Sequence, residues 1–185
     1  MHTDAIFAGF GGQGIMLIGQ MLAYAGMEEG KEVVWLPSYG PEMRGGTAYC
    51  TVVMSDRPIG SPILDQLGNI AVLNRPSLEK FAPRVKPGGL LVINTSLIHV
   101  DCEREDITKL KVPANDISME CGTTKAANMA VLGAFVGFTK AVELDTLDKL
   151  LHKQFERKPE LIGINMDVLR RGFTLGNEAA AATKS

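Results

Sequence analysis

AIFAGFGGQGIMLIGQMLAYAG, residues Ala5–Gly26, decides the fold. The apolar run Ala5–Phe10 has the character of a buried strand. Gly11, Gly12 and Gly14 supply a tight turn. Ile15–Met27 then places Met16, Ile18, Leu22 and Ala25 on one broad apolar helical face. Gly30 stops that helix, with Lys31 close to its C-terminus. Val33–Leu36 is the next strand, giving a strand–helix–strand unit of the size expected for a right-handed parallel crossover.

The remaining chain repeats the alternation. Pro37–Gly46 is turn-rich, Thr47–Met54 alternates as a strand, and Ser55–Pro62 is a loop with Gly and two prolines. Ile70–Leu73 is a short central strand followed by Asn74, and Ser77–Phe81 is a short helix. Pro87-Gly88-Gly89 is expected as a turn, Leu90–Ile93 as a buried strand and Lys109–Val112 as a further one. Thr124–Thr139 is a long helix whose small Gly133, Ala134 and Gly137 permit close packing, with Thr123 or Thr124 as its cap. Asp145–Phe155 and Glu160–Leu175 are later helices, and the last residues, from about 177 to 185, are expected as a flexible tail. These elements predict one domain over residues 1–185, a three-layer α/β/α fold with a mostly parallel, Rossmann-like sheet.

Composition narrows the function classes. Hydrophobic residues make up 45% and charged residues 22% of 185 residues, ordinary for a globular domain. A formal net charge of -2 gives no overall attraction to nucleic acid or to anionic membrane. The cluster Lys80, Arg84 and Lys86 reads as a solvated helix end. Polar residues interrupt every apolar run before bilayer length, and no signal-peptide pattern opens the chain, so a cytoplasmic protein is expected. Cys50, Cys102 and Cys121 are odd in number and widely spaced, which argues for small buried hydrophobes over a disulfide, zinc or iron–sulfur framework. His2, His99 and His152 are scattered, with no ligand spacing. No metal site and no self-contained catalytic centre is expected in this chain.

Gly9, Gly11 and Gly14 satisfy G-x-G-x-x-G, and with Gly12 and Gln13 they would bring a ligand close to backbone at a helix N-terminus. A dinucleotide site also needs an acid at the end of the second strand to hold a ribose hydroxyl. That strand ends VVWLPSYG, without one, so the fingerprint is half present. Walker-type, nucleophile-elbow and metal-helix motifs are absent as well. The second loop, WLPSYGPEMRGGTAY at Trp35–Tyr49, should leave the sheet at the same carboxyl edge. There Ser38, Tyr39, Gly40, Glu42, Arg44, Gly45 and Gly46 combine restricted backbone with three chemically capable side chains. Arg44 can grip a carboxylate or phosphate, Glu42 can orient it, and Tyr39 offers an aromatic face with a polar tip. A local Glu–Arg pair in a surface turn is the bland alternative. Asn128 lies early in the long helix, able to reach the sheet edge or to bond neighbouring backbone.

GFGGQG at Gly9–Gly14, SYGPEMRGG at Ser38–Gly46, TAYCTVVMSDRPIGSP at Thr47–Pro62 and NMAVLGAFVG at Asn128–Gly137 together resemble the gamma subunit of the 2-oxoacid:ferredoxin oxidoreductases, over about Ala5 to Gly137. PSYGPEMRGGTA followed by VVMSDRPIGSP is most similar to the 2-oxoglutarate type. Branched-chain and aryl-pyruvate types remain open. The resemblance implies a gamma-type domain in a complex that converts a 2-oxoacid, coenzyme A and oxidised ferredoxin to acyl-coenzyme A, carbon dioxide and reduced ferredoxin. It implies thiamine diphosphate with Mg on a beta subunit, an alpha subunit shaping the substrate pocket, and iron–sulfur clusters including those of a ferredoxin-like delta subunit. None of these cofactors is expected on this chain, which lacks a thiamine motif and a cysteine cluster. Both glycine loops would then pack over the thiamine-bearing subunits and shape the approach of coenzyme A or substrate. Two other readings stand beside it: a free-standing nucleotide-binding regulatory module, and a purely structural assembly subunit. In isolation the chain is expected to be inactive, and a homodimer is one way to cover its partner-facing apolar surface.

Overall fold

The computed structural model describes residues 2–38, 47–61 and 64–183. Tyr39, Gly40, Glu42, Arg44, Gly45 and Gly46 of the second loop lie outside the described residues.

A six-stranded sheet forms the centre. Its strands are β1 (His2–Phe10), β2 (Glu32–Ser38), β3 (Thr47–Ser55), β4 (Leu67–Val72), β5 (Val85–Asn94) and β6 (Thr108–Val112), in the spatial order β2-β3-β1-β4-β5-β6. β1, β4, β5 and β6 pair in parallel, and β3 runs antiparallel to both its neighbours. β2 is therefore parallel to β1, as the crossover predicts, but β3 lies between them. The helices are α1 (Ile15–Glu28), α2 (Arg75–Phe81), α3 (Ala114–Glu120), α4 (Ala127–Thr139), α5 (Leu144–Gln154) and α6 (Ile162–Thr183).

Alternate residues of the strands face two separate cores. Phe7, Cys50, Val52, Ala71 and Val92 join the larger one with α1, α3, α4, α5 and α6. Ile6, Ile70, Val72, Leu91 and Ile93 join the smaller one, capped by Leu78 and Phe81 of α2. Phe7 and Phe135 are fully buried and meet edge to face, with centroids 5.3 Å apart. Cys50 is fully buried, and burial pushes its thiol up to about 12.

α4 and α6 run parallel at very close range. A Cβ on Gly133 would lie 2.1 Å from the carbonyl oxygen of Leu169, and one on Gly172 would lie 2.1 Å from that of Ala130. Gly137 against Phe173 and Gly176 against Ala134 repeat the contact one turn on. The small residues of α4 thus serve the close packing that the sequence predicts.

Four expectations are corrected. β5 begins at Val85, so Pro87-Gly88-Gly89 lies within the strand, at a register irregularity against β4 where Gly88 takes φ 76°. α4 starts at Ala127 with no side-chain cap of its own. Neither Thr123 nor Thr124 fills that role; Ser118 Oγ, arriving from α3, accepts from the backbone N of Ala126 at 3.2 Å. The segment expected as a flexible tail from about 177 continues α6 to Thr183. There Asn177 Oδ1 accepts from Lys140 Nζ at 2.6 Å, and four alanines follow with the highest helix propensity. The basic cluster is also tied into the fold: Arg84 donates to the carbonyls of Leu64 and Asp65, and Lys86 pairs with the buried Asp4 at 3.0 Å.

Among the described residues, no helix is long and apolar enough to cross a membrane, and no group of three or more His, Cys, Asp or Glu is placed to hold a metal ion.

Candidate functional site

β1 ends in the glycine turn at the carboxyl edge of the sheet. Gly12 takes φ 89°, and Gly14, the N-cap of α1, takes φ 73°, both left-handed values that side chains disfavour. The turn is braced from within. Gln13 folds back so that its Oε1 accepts from the backbone N of Phe10 at 2.6 Å. A Cβ on Gly9 would sit 2.6 Å from that same Oε1. Asn128 of α4, 5% exposed, donates from Nδ2 to the carbonyl of Gly14 at 3.3 Å. A Cβ on Gly14 would lie 2.3 Å from the same nitrogen. A side chain at Gly9 would therefore displace Gln13, and one at Gly14 would displace Asn128 as well as strain the left-handed backbone. Gly11 is exposed at the turn's apex.

The turn sits where the sheet changes direction. From β1 the chain moves through α1 towards β2 on one side, whereas β4, β5 and β6 extend the other way. α1 covers one face and α2 the opposite one. Such a switch point leaves a crevice beyond the strand ends. Here it is a cleft of about 340 Å³, lined by Gly12, Gln13, Asn94, Asn115, Lys125 and Asn128 together with Leu73, Thr124 and Ala127. The N-termini of α1 and α4 both open on it. Neither has a side-chain cap or an acid in its first turn, and among the described residues no carboxylate lines the cleft. The local field is positive, from Lys125 and the two helix ends.

The structure brings Gly12, Gln13, Gly14 and Asn128 together as one assembly. Ser38 ends β2 opposite Tyr49, which in turn pairs with Ala8, so the start of the second loop shares the carboxyl edge with the first. Thr47, where the chain returns, pairs with Phe10 at the same edge.

Sequence reasoning missed Asn74, Asn94, Asn115 and Lys125. Asn74 is 3% exposed; it caps α2 by accepting from the backbone N of Ser77 at 2.9 Å, and reaches Gln13 Oε1 from Nδ2 at 3.4 Å. Asn94, fully buried, donates to Asn115 Oδ1 at 2.9 Å. A readable signal existed. IAVLN, LLVIN and KVPAN each place an asparagine at or just past the carboxyl end of one of three successive parallel strands.

The sequence model of the pyruvate ferredoxin/flavodoxin oxidoreductase family matches residues 4–175. Ketoisovalerate oxidoreductase subunit VorA of Methanothermobacter marburgensis is 38% identical over 167 residues, 89% of this chain but only 34% of that protein, so this chain spans about a third of that relative. 2-Oxoglutarate synthase subunit KorC of Methanocaldococcus jannaschii is 34% identical over 82% of both chains. The crystal structure of the keto/oxoacid ferredoxin oxidoreductase gamma subunit from Geobacter sulfurreducens superposes over 98% of both chains with TM-score 0.79 at 28% identity. The glycine turn, the mixed sheet around it and these matches lead to one conclusion: the chain belongs to the pyruvate ferredoxin/flavodoxin oxidoreductase family.

Proposed function

We propose that the chain is the gamma-type subunit of a 2-oxoacid:ferredoxin oxidoreductase complex, with 2-oxoglutarate as the oxoacid and succinyl-coenzyme A as the product. One observation carries the reading: correspondence to a KorC subunit over 82% of both chains at 34% identity. Thiamine diphosphate with Mg, and the iron–sulfur clusters, belong to partner alpha, beta and delta chains. The carboxyl-edge assembly of Gly9–Gly14, Asn128 and the loop Ser38–Gly46 packs over the thiamine-bearing chains and shapes the entry of coenzyme A. The cleft supports a role in binding more than in bond-making, because the polar side chains that line it among the described residues are four carboxamides, one hydroxyl and one lysine, with no nucleophile beside a base. Ketoisovalerate is the second reading, favoured by the 38% identity to VorA.

The test is an anaerobic affinity capture of the tagged chain from its native lysate. The eluate is assayed for viologen reduction with coenzyme A and either 2-oxoglutarate or ketoisovalerate. Co-elution of larger chains with 2-oxoglutarate activity supports the proposal. Preference for ketoisovalerate moves the substrate to the second reading, and capture of the chain alone from an active lysate defeats the subunit role. Arg44→Ala in the captured complex is expected to raise the coenzyme A KM about tenfold or more, the loss of one charge-assisted contact. Unchanged assembly and unchanged KM would remove the second loop from that role.

A further inference from the structure

The direction of a carboxamide is fixed wherever a backbone N–H faces it, because that N–H can only donate. Two relays of such amides meet at the carboxyl-edge cleft. In the first, Ser77 N donates to Asn74 Oδ1 at 2.9 Å, so Asn74 turns Nδ2 towards Gln13 Oε1 at 3.4 Å. Phe10 N donates to the same Oε1 at 2.6 Å. With its oxygen doubly used, Gln13 is left with Nε2, which has no partner among the described residues. In the second, Ala114 N and Ser96 N donate to Asn94 Oδ1 at 3.2 and 3.3 Å. Asn94 Nδ2 donates in turn to Asn115 Oδ1 at 2.9 Å. Asn115 is likewise left with its amide nitrogen. Gln13 and Asn115 both line the cleft, with Lys125 beside them.

We propose that these two relays make the cleft a donor-lined subsite for an oxyanion, a carboxylate or phosphate oxygen. Gln13 Nε2, Asn115 Nδ2 and Lys125 Nζ are the donating groups, and Asn74 and Asn94 are positioning residues that set their direction. The buried ends of both relays make the arrangement rigid: Asn74 is 3% and Asn94 0% exposed. A ligand therefore meets donors already oriented, and no amide has to turn to receive it. A ligand group that can only donate finds those nitrogens opposed to it. The inference gives the chemistry of the group received and rests on the proposed function only for which molecule carries it.

Asn74→Asp separates positioning from folding. The new carboxylate still accepts from Ser77 N, so α2 stays capped. Its other oxygen opposes Gln13 Oε1. The Gln13 amide must then turn, which aims its oxygen into the cleft and leaves Phe10 N without an acceptor. The experiment titrates the full chain with inorganic pyrophosphate and, separately, with 2-oxoglutarate. It follows the side-chain NH2 signals of Gln13 and Asn115 by two-dimensional NMR. Saturable shifts of both pairs are expected with at least one probe: pyrophosphate alone assigns a phosphate group, 2-oxoglutarate alone a carboxylate. Asn74→Asp should weaken that affinity about tenfold or more, the loss of one good hydrogen bond to a charged group. It should also speed exchange of the Phe10 amide and leave the melting temperature in place. If Asn74→Asp melts lower, Gln13→Glu gives the same comparison, since it keeps the acceptor for Phe10 N and replaces the donor. The proposal is overturned if neither probe shifts the two NH2 pairs, or if the variant that retains the wild-type melting temperature binds within twofold of wild type. Those results come from the chain alone, so they are separate from capture of a complex.

Discussion

Gly133→Ala should destabilise the protein even though alanine is the better helix former. The added Cβ would stand 2.1 Å from the carbonyl oxygen of Leu169 and 2.8 Å from the backbone N of Phe173. Carbon–oxygen contacts across packed backbones settle at about 3.3 Å or more. The helices must therefore part by about 1.2 Å at this level, because both opposing atoms are backbone and neither can rotate aside. A gap of that size forfeits up to half of the dispersion energy along the seam. The seam is long: Gly137, Gly172 and Gly176 make equivalent 2.1 Å approaches, so parting at one level loosens the others. Overpacking of this kind costs about 1–3 kcal/mol, and helix propensity returns about 1 kcal/mol at most. A net loss of up to about 2 kcal/mol lowers the melting temperature by up to about 8 °C for a chain of this size.

Gly163 provides the control. It lies in α6 as well, but a Cβ there has nothing within 4 Å. Gly163→Ala should stabilise by about 0.5–1 kcal/mol. Thermal unfolding followed by circular dichroism reads both variants. Backbone overpacking at this seam is refuted if Gly133→Ala melts at or above wild type, or if the two substitutions move the midpoint the same way. The double variant Gly133→Ala/Gly172→Ala should cost less than the sum of its parts, since the first parting already makes room for the second methyl.

Two further outcomes follow from local geometry. Lys140 ends α4 at φ 55° while its Nζ bonds Asn177 and stands 4.5 Å from the centre of the Phe173 ring. Lys140→Ala should melt lower than Lys140→Gly, with a difference of about 1 kcal/mol in unfolding free energy from the left-handed backbone alone; equal midpoints would remove strain from the account. Burial acts to raise the Glu29 carboxyl, but hydrogen bonds from Lys31 Nζ, the backbone N of Glu143 and Thr146 outweigh it and hold the group below its ordinary value. A depressed folded-state value means stability present above the unfolded value and lost as pH falls through the folded one. Glu29→Gln should therefore melt lower than wild type at about pH 7 and approach it at about pH 3; a constant difference across that range would show that charge is not what Glu29 contributes.

The parts of the fold that were readable in the sequence are those set by local period and small residues. Ala5–Gly26 declares a strand, a turn and a helix, and Gly133, Ala134 and Gly137 declare a close helix contact. The position of β3 was not readable, because TAYCTVVMS has the alternation of a strand whichever neighbour it pairs with. Its insertion between β2 and β1 depends on covering both strands at once. The approach to α4 was hidden for a similar reason: Ser118, whose hydroxyl accepts from the backbone N of Ala126 just before that helix, belongs to the preceding helix.

The same separation explains the site. Gln13 and Asn74 are 61 positions apart, Asn94 and Asn115 21, and Gly14 and Asn128 114. Asn74 and Asn94 alone look like turn residues at the end of a strand, and Asn115 and Asn128 like polar residues early in a helix. Parallel strands and the helices that follow them deliver these residues to one edge, where Asn74 orients Gln13 and Asn94 orients Asn115. The glycine pattern that suggests a dinucleotide is then explained from inside the chain. Gly9 makes room for Gln13 Oε1, and Gly14 makes room for Asn128 Nδ2. A strand–turn–helix that leaves such room open can admit a pyrophosphate against its backbone. This one fills it with its own carboxamides and moves the donor surface outward, to Gln13, Asn115 and Lys125. An alanine at Gly9 would therefore act first on Gln13, and through it on the direction of the cleft, before it touched any ligand.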